Sequence, residues 1–329
     1  MSTNFNVSED EDLALIPKWT IRKISFVGIL IAISVVFLFV VVGFLPIAIL
    51  PTYKISFIGL PIKISGFIFG PIVGGFVGLL SDLISFMFLP SWYNPLYTLA
   101  AVVDGVVSGI IGWIFMKLLK YYFGGRYRDN YYEYKIKLLM DKLNKIKLQN
   151  PNSKKVIKLE NKIIYLHEQR KAIRVTNTSQ NRLLNVNLLI ATLIIVAICL
   201  LVSWVVYFQI SDDIINRGVI KNRIGLLALM LSGYATMLIF LWIARFKMRP
   251  KRYLIIVPIV VFSAFIELIN VPVLALADSL TTSNKNDIFV FIFNHCLMSP
   301  IKIWGNMFII YFTYSIMAPL INKNDSICY

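Results

Sequence analysis

Histidine and cysteine are scarce in this chain, two and three respectively among 329 residues. His167 and His295 have no companions at ligand spacing, so no zinc or other His-based metal centre is encoded. Cys199, Cys296 and Cys328 are far apart and odd in number, which excludes a disulfide framework. A phosphate-binding loop of the GxxxxGKS/T type is absent, so the chain has no usual means of hydrolysing ATP. Acidic residues are few, 17 against 33 Lys and Arg, and scattered. A membrane enzyme needs its polar residues clustered at one interface, and no such cluster is visible. No cofactor is implied.

Apolar residues dominate instead. They make up 58% of the chain, mean hydropathy is +0.73, and several runs reach the length of about 18 residues that spans a bilayer as a helix. A soluble fold would be left with far too much apolar surface, and a transmembrane barrel would alternate apolar and polar residues over short strands. The expected fold is an all-α polytopic membrane protein. The net charge of +16 is concentrated between the apolar runs, where Lys and Arg mark the cytoplasmic side.

The polar N-terminal segment, acidic from Glu9 to Asp12 and basic at Lys18, Arg22 and Lys23, precedes an apolar run from Ile24 to about Leu50. That run is longer than a signal-peptide core and lacks a small-residue cleavage site, so it reads as a retained first span with the N-terminus inside. Gly28 and Ala32 are four residues apart, on one face, where another helix can come close. Pro51 to Lys54 reads as a short outer link, and Lys54 either snorkels there or faces a solute. Spans follow at about 56–69, 72–89 and 96–119, joined by a tight inner turn at Gly70-Pro71 and an outer turn, residues 90–95, that carries Trp92 and Tyr93.

Residues 121–183 then hold fifteen Lys and Arg against five Asp and Glu, the strongest cytoplasmic mark in the chain. Ile136, Leu139, Leu143 and Ile146 recur at helical spacing, as do Val156, Leu159, Ile163 and Leu166, with Asn150 to Ser153 between them. The pattern predicts a cytosolic αα-hairpin. It is either simply solvated or in contact with anionic headgroups or a partner subunit; no aromatic-plus-basic motif points to nucleic acid.

Four more apolar runs lie at about 186–210, 224–246, 252–277 and 291–321, the last interrupted by His295, Pro300 and Lys302 so that its span is expected from near Ser299. A lone His295 at a helix end reads as a structural, hydrogen-bonded residue. Arg245, Lys247, Arg249, Lys251 and Arg252 place the turn between 246 and 252 inside. The count is eight spans with both termini cytoplasmic. The loop 211–223, on the outer side, nonetheless carries Arg217, Lys221 and Arg223 against Asp212 and Asp213.

The most informative block is 54–112. It is broken by glycine, proline and serine into pieces near spanning length, and two of these contain an aspartate, Asp82 and Asp104. A charge in hydrocarbon costs roughly 2.5–3.5 kcal/mol on insertion scales and therefore faces a packed interior or a wet cavity. Each aspartate reads either as an interhelical or capping group or as an acceptor for a solute; Glu267 is equally open.

Within this block, ISFIGLPIKISGFIFGPIVGGFVGLLSD followed by FLPSWYNPLYTLAAVVDGVVSGIIG resembles the substrate-binding S components of energy-coupling factor (ECF) vitamin transporters, the folate type above all. The features are Ile55 to Phe57, Pro61, Ser65-Gly66, Gly70-Pro71, Gly74 to Gly78, Ser81-Asp82, Thr98-Leu99, and the paired Gly105 and Gly109. The charge at Asp104 departs from the family pattern. The resemblance implies a six-helix S-component core: helices one to four in 24–119 and five and six in 251–322. A basic cytosolic hairpin (120–185) and an extra transmembrane pair (186–250) are inserted between them, and residues 1–23 and 323–329 are cytosolic tails.

Such subunits bind a vitamin from outside in the bacterial cell membrane. They dock on a transmembrane coupling subunit with two ATPase subunits and topple to release the vitamin inward. Gly28 and Ala32 match the family's small-residue docking motif, with glycine in place of the more frequent first alanine. The resemblance places the solute near the outer ends of the core helices. Ligand-binding candidates are Lys54, Phe57, Asp82, Phe86, Tyr97, Thr98, Asp104, Asn270, Asn294 and Lys302, aromatic faces for a flat pterin and lysines for a carboxylated tail. Related members take riboflavin or pantothenate, and a stand-alone secondary carrier remains the other reading, although no internal repeat supports it.

Overall fold

The computed structural model describes residues 21–44, 51–88, 94–149, 153–175, 178–217, 220–281 and 288–322. All regular structure among them is helical. The N-terminal acidic patch, the Trp92-Tyr93 turn and the C-terminal tail lie outside the described residues.

The first four apolar helices are α1 (Ile21–Phe44), α2 (Pro51–Phe69), α3 (Pro71–Phe88) and α4 (Pro95–Trp113). Residues expected to form an outer link, Pro51 to Lys54, are instead the first turn of α2. Proline suits that position because its missing N–H would have had no intrahelical partner. One residue separates α2 from α3: Gly70 takes φ 98°, a conformation that costs glycine nothing, and its N–H donates to the Gly66 carbonyl at 2.8 Å. Asn94 starts α4 by accepting the Leu96 N–H at 3.0 Å, with Pro95 at the first helical position.

Glycine sets how closely α2, α3 and α4 pack. A Cβ placed on Gly105 would sit 2.0 Å from the Gly74 carbonyl oxygen, and one on Gly66 would sit 2.1 Å from the Gly105 carbonyl oxygen. No side chain fits in either place, so the three backbones are in direct contact. This is how helices associate in lipid, where hydrocarbon supplies no hydrophobic drive between them.

Helix α4 continues through a π-helical turn (Ile114–Leu118) into α5 (Leu119–Phe123). Two polar helices follow, α6 (Arg126–Gln149) and α7 (Lys154–Val175). They pack together around buried Ile136, Ile163 and Leu166, with Leu139 and Leu143 against them, the residues whose spacing marks the stripe in the sequence. Arg170 ties the pair by donating to Asp129 at 2.7 Å and Glu133 at 2.5 Å.

Four long elements complete the bundle: α8 (Thr178–Phe208), the short α9 (Asp212–Arg217) with α10 (Arg223–Lys247), α11 (Pro250–Thr281) and α12 (Ile288–Asn322). Helix α12 does not break at Pro300 as the sequence suggests. A helix in a bundle can keep its remaining hydrogen bonds around a proline, and here Gly233 of α10 makes room, since a Cβ on it would lie 3.1 Å from the Pro300 Cα. Arg223 explains the positive excess of the 211–223 loop. Its guanidinium donates to the terminal carbonyls of Val206, Tyr207 and Ile210 and, at 2.7 Å, to Asp212. It thus serves as a cap on α8, where the helix dipole favours a cation.

Helix α11 is the centre of the bundle. Its apolar window is 72% buried inside the protein, against 28% for α8. It packs on α4, α12, α8 and α10, while α12 also touches α2. Among the described residues, five helices are long and apolar enough to cross a membrane by length and composition: α3, α4 with α5, α8, α10 and α11. Shorter apolar stretches, Lys23–Val36 and Gly59–Phe69, lie in α1 and α2. The chain is a multi-pass membrane protein.

Replacing Gly105 with alanine is expected to destabilise the bundle by about 1–3 kcal/mol or more through overpacking. Gly28→Ala, which meets nothing within 4 Å, is expected to leave stability unchanged. Thermal unfolding of the detergent-solubilised protein distinguishes the two; equal midpoints would mean that the glycine contacts do not set the packing.

Candidate functional site: a polar seam between the core helices

Polar side chains line one face of each of three neighbouring helices. On α11 they are Ser263, Glu267, Asn270 and Asp278, on α12 His295, Ser299, Lys302 and Asn306, and on α4 Tyr97 and Asp104. The spacings of three, four, seven or eight residues return to the same helix face. Along α11 the seam extends over about 22 Å at 1.5 Å per residue.

At one end, Tyr97 Oη donates to Asp278 Oδ1 at 2.6 Å, and His295 Nε2 lies 3.0 Å from Asp278 Oδ2. The carboxylate therefore joins α4, α11 and α12. Asn94, which caps α4, adds a long contact of 3.4 Å to the Ala277 carbonyl. Deeper, Asn270 Nδ2 donates to Asp104 Oδ1 at 2.8 Å, and Lys63 Nζ of α2 lies 3.5 Å from Asp104 Oδ2. Lys63 and Asp104 are both buried. Gly59, one turn before Lys63, makes the space, since a Cβ there would fall 2.3 Å from the carboxylate. On the next turn, Ser299 Oγ donates to Glu267 Oε2 at 2.7 Å.

The seam is not internally satisfied. Among the described residues, Asn270 Oδ1, His295 Nδ1, Ser263 Oγ and Asn306 Nδ2 are buried without a hydrogen-bond partner. The half-buried Lys302 forms no hydrogen bond or ion pair there either, although its charge reaches Asp104. Buried polar groups are nearly always paired, because each unpaired one costs about 1–3 kcal/mol. Acceptors, donors and a cation left open along one seam are what a polar organic solute would engage.

Four of the ten ligand-binding candidates from the sequence fall on this seam. Tyr97, Asp104, Asn270 and Lys302 belong to it. Asp82 accepts the Thr98 hydroxyl at 2.5 Å between α3 and α4, and Phe86 is half-buried one turn beyond Asp82. Both aspartates thus make interhelical bonds. The side chains of Lys54, Phe57 and Asn294 lie outside the described residues. Gly28 and Ala32 are exposed on α1, whose inward face is carried by Val27, Leu30, Ser34 and Val35. Sequence reasoning missed Lys63 and Asp278. A lone lysine inside α2 was the available signal for the first, and the periodicity of polar residues on α11 for the second.

A family model described as "ECF transporter, substrate-specific component" matches residues 22–215, more than half of the chain. The protein belongs to this family. Among curated relatives, the folate transporter FolT of Clostridium novyi (strain NT) is 39% identical over 61 residues, 18% of this chain and 36% of that protein. An uncharacterized protein, the MG098 homolog of Mycoplasma pneumoniae (strain ATCC 29342 / M129 / Subtype 1), is 31% identical over 101 residues, 29% and 21% of the respective lengths. The matches thus span well under half the length of either relative. No solved structure matches. The ECF family match takes in α1 to α4 and ends within α9, so the α11 and α12 sides of the seam lie beyond it.

Removing one partner of a buried ion pair strands the other, at a cost of about 3–5 kcal/mol. Asp104→Leu alone is expected to lower the unfolding midpoint sharply, and Lys63→Met added to it to restore much of the loss. Thermal unfolding of the two single variants and the double variant measures the coupling; additive losses would show that the pair is not a unit.

Proposed function

We propose that this chain is the vitamin-binding S component of an ATP-driven ECF importer, with folate as the leading substrate. The observation that carries the reading is the family match over residues 22–215, and the folate assignment draws on the short likeness to a folate transporter. In this reading the chain crosses the bacterial cell membrane eight times with both termini inside. Helices α1 to α4 with α11 and α12 form the six-helix core, α6 and α7 the cytosolic hairpin, and α8 and α10 the inserted pair. Packing supports that division: α11 and α12 pack on α4 and α2, whereas α8 packs on α11, and α10 on α11 and α12.

The solute enters at the outer end of the seam, where Tyr97, Asp278 and His295 meet. Its ring N–H groups go to the acceptors left open at Asn270 and His295, and its carboxylated tail to Lys302. Transport then needs a coupling subunit and two ATPase subunits, since the chain carries no phosphate loop of its own. Gly28 and Ala32, exposed and without bulk on α1, form the surface on which a coupling helix can lie closely.

Calorimetry on the detergent-purified chain, with folate, riboflavin and pantothenate in parallel, tests the substrate. Sub-micromolar binding of folate is expected. Binding of another vitamin instead would keep the mechanism and change the cargo, and binding of none would remove the vitamin reading. Losing a charge-assisted hydrogen bond costs about 1.5–3 kcal/mol, so Lys302→Ala is expected to weaken folate binding roughly 10- to 150-fold. Gly28→Leu is expected to abolish uptake in cells and the retention of ATPase subunits in mild detergent while leaving folate affinity intact. Loss of affinity in that variant would return Gly28 to internal packing, and uptake by the purified chain alone in liposomes would favour a secondary carrier.

A further inference from the structure

A cavity of about 260 Å³ lies between the inserted helices and the core, close to the lower bound of about 300 Å³ for small-molecule sites. All four long C-terminal helices line it. Val205 of α8 and Val271 of α11 stand for its apolar walls, and Tyr234 of α10, Glu267 of α11 and Ser299 of α12 are its polar groups. Leu201 of α8, another lining residue, is 47% exposed.

The polar groups are incompletely used. Tyr234 is 6% exposed, and its hydroxyl makes no hydrogen bond among the described residues. Glu267, also 6% exposed, accepts only the Ser299 hydroxyl and has no cation within ion-pairing distance among the described residues. Tyr234 and Glu267 line the same cavity. Lys302 does not neutralise the carboxylate by an ion pair, although both charges are felt at Cys296.

A carboxylate set among apolar walls needs a cation or N–H donors to offset its loss of water. We propose that this cavity is a second ligand site, lying beside the solute seam and sharing Glu267 and Ser299 with it, that takes a small hydrophobic amine entering from the bilayer past Leu201. The ammonium donates to Glu267 and lies beside Tyr234, whose hydroxyl and ring face both favour a cation. The apolar body fills the space between Val205 and Val271. Because α8 and α10 form half of the walls, the site exists only where the inserted pair is packed on the core. Glu267 and Ser299, bonded to each other, belong to both and so link the cavity to the seam.

The test uses the full chain in detergent, with tryptamine as the amine and 3-ethylindole as its nearly isosteric neutral counterpart, followed by calorimetry and thermal unfolding. Saturable tryptamine binding that raises the unfolding midpoint is expected, with 3-ethylindole at least about tenfold weaker. Glu267→Gln should weaken tryptamine by a similar factor, and Val205→Trp, which fills the cavity, should abolish its binding while leaving folate affinity unchanged. Equal binding of tryptamine and 3-ethylindole would overturn the proposal by showing an apolar slot for any hydrocarbon, detergent chains included. Absence of saturable tryptamine binding, or binding unchanged by both substitutions, would also overturn it. The comparison of the two probes on the unaltered protein decides the matter even where Val205→Trp fails to fold.

Discussion

The direct contact of three helix backbones is the constraint from which the rest of the core follows. With Gly66, Gly74 and Gly105 at the crossing, α2 and α4 come close enough for a side chain of one to reach the interior of the other. Lys63 stands between Gly59 and Gly66 on that same face of α2, and it uses the space to approach Asp104. Were those glycines larger, the lysine would have no acidic partner in a medium that solvates neither charge. Packing and electrostatics are one arrangement here: absent side chains in one layer position charged ones in the next.

From that crossing the polar seam runs between α4, α11 and α12. Its fixed members, Asp278 with Tyr97 and His295 at one end and Asp104 with Asn270 and Lys63 further in, hold the helices in register. Its open members, among them Asn270 Oδ1 and His295 Nδ1, are buried without partners. The division is physically reasonable, because a site built only of satisfied pairs would have nothing to offer a solute, and one built only of open groups would not hold together in lipid.

Much of this was legible in the sequence because glycine and charge carry strong constraints inside apolar runs. Gly70-Pro71 announced the turn between α2 and α3, the apolar stripe of 136–143 and 156–166 announced the packing of α6 on α7, and Asp82 and Asp104 marked an interior polar region. The interhelical partners were less visible. Thr98 and Asn270 were named for a solute, yet they bond to Asp82 and Asp104, and nothing local distinguishes the two roles. Lys63 escaped notice because, without a register between α2 and α4, a lone lysine has no assignable partner. The helix ends at Pro51 and Pro300 differed for two reasons: the first-turn position at Pro51 and tertiary neighbours at Pro300 let proline stay within a helix where local preference alone would end it.

The position of α11 has a consequence for how the chain is assembled as a whole. This helix packs on α4 and α12 and also on α8 and α10, so residues 178–247 are not an appendage on a finished bundle. A shortened chain would turn a packed protein face of α11 into one that must contact lipid, and that face would need new residues to do so. Helices α8 and α10 and the helix they pack on therefore form one unit, and change in either is constrained by the other.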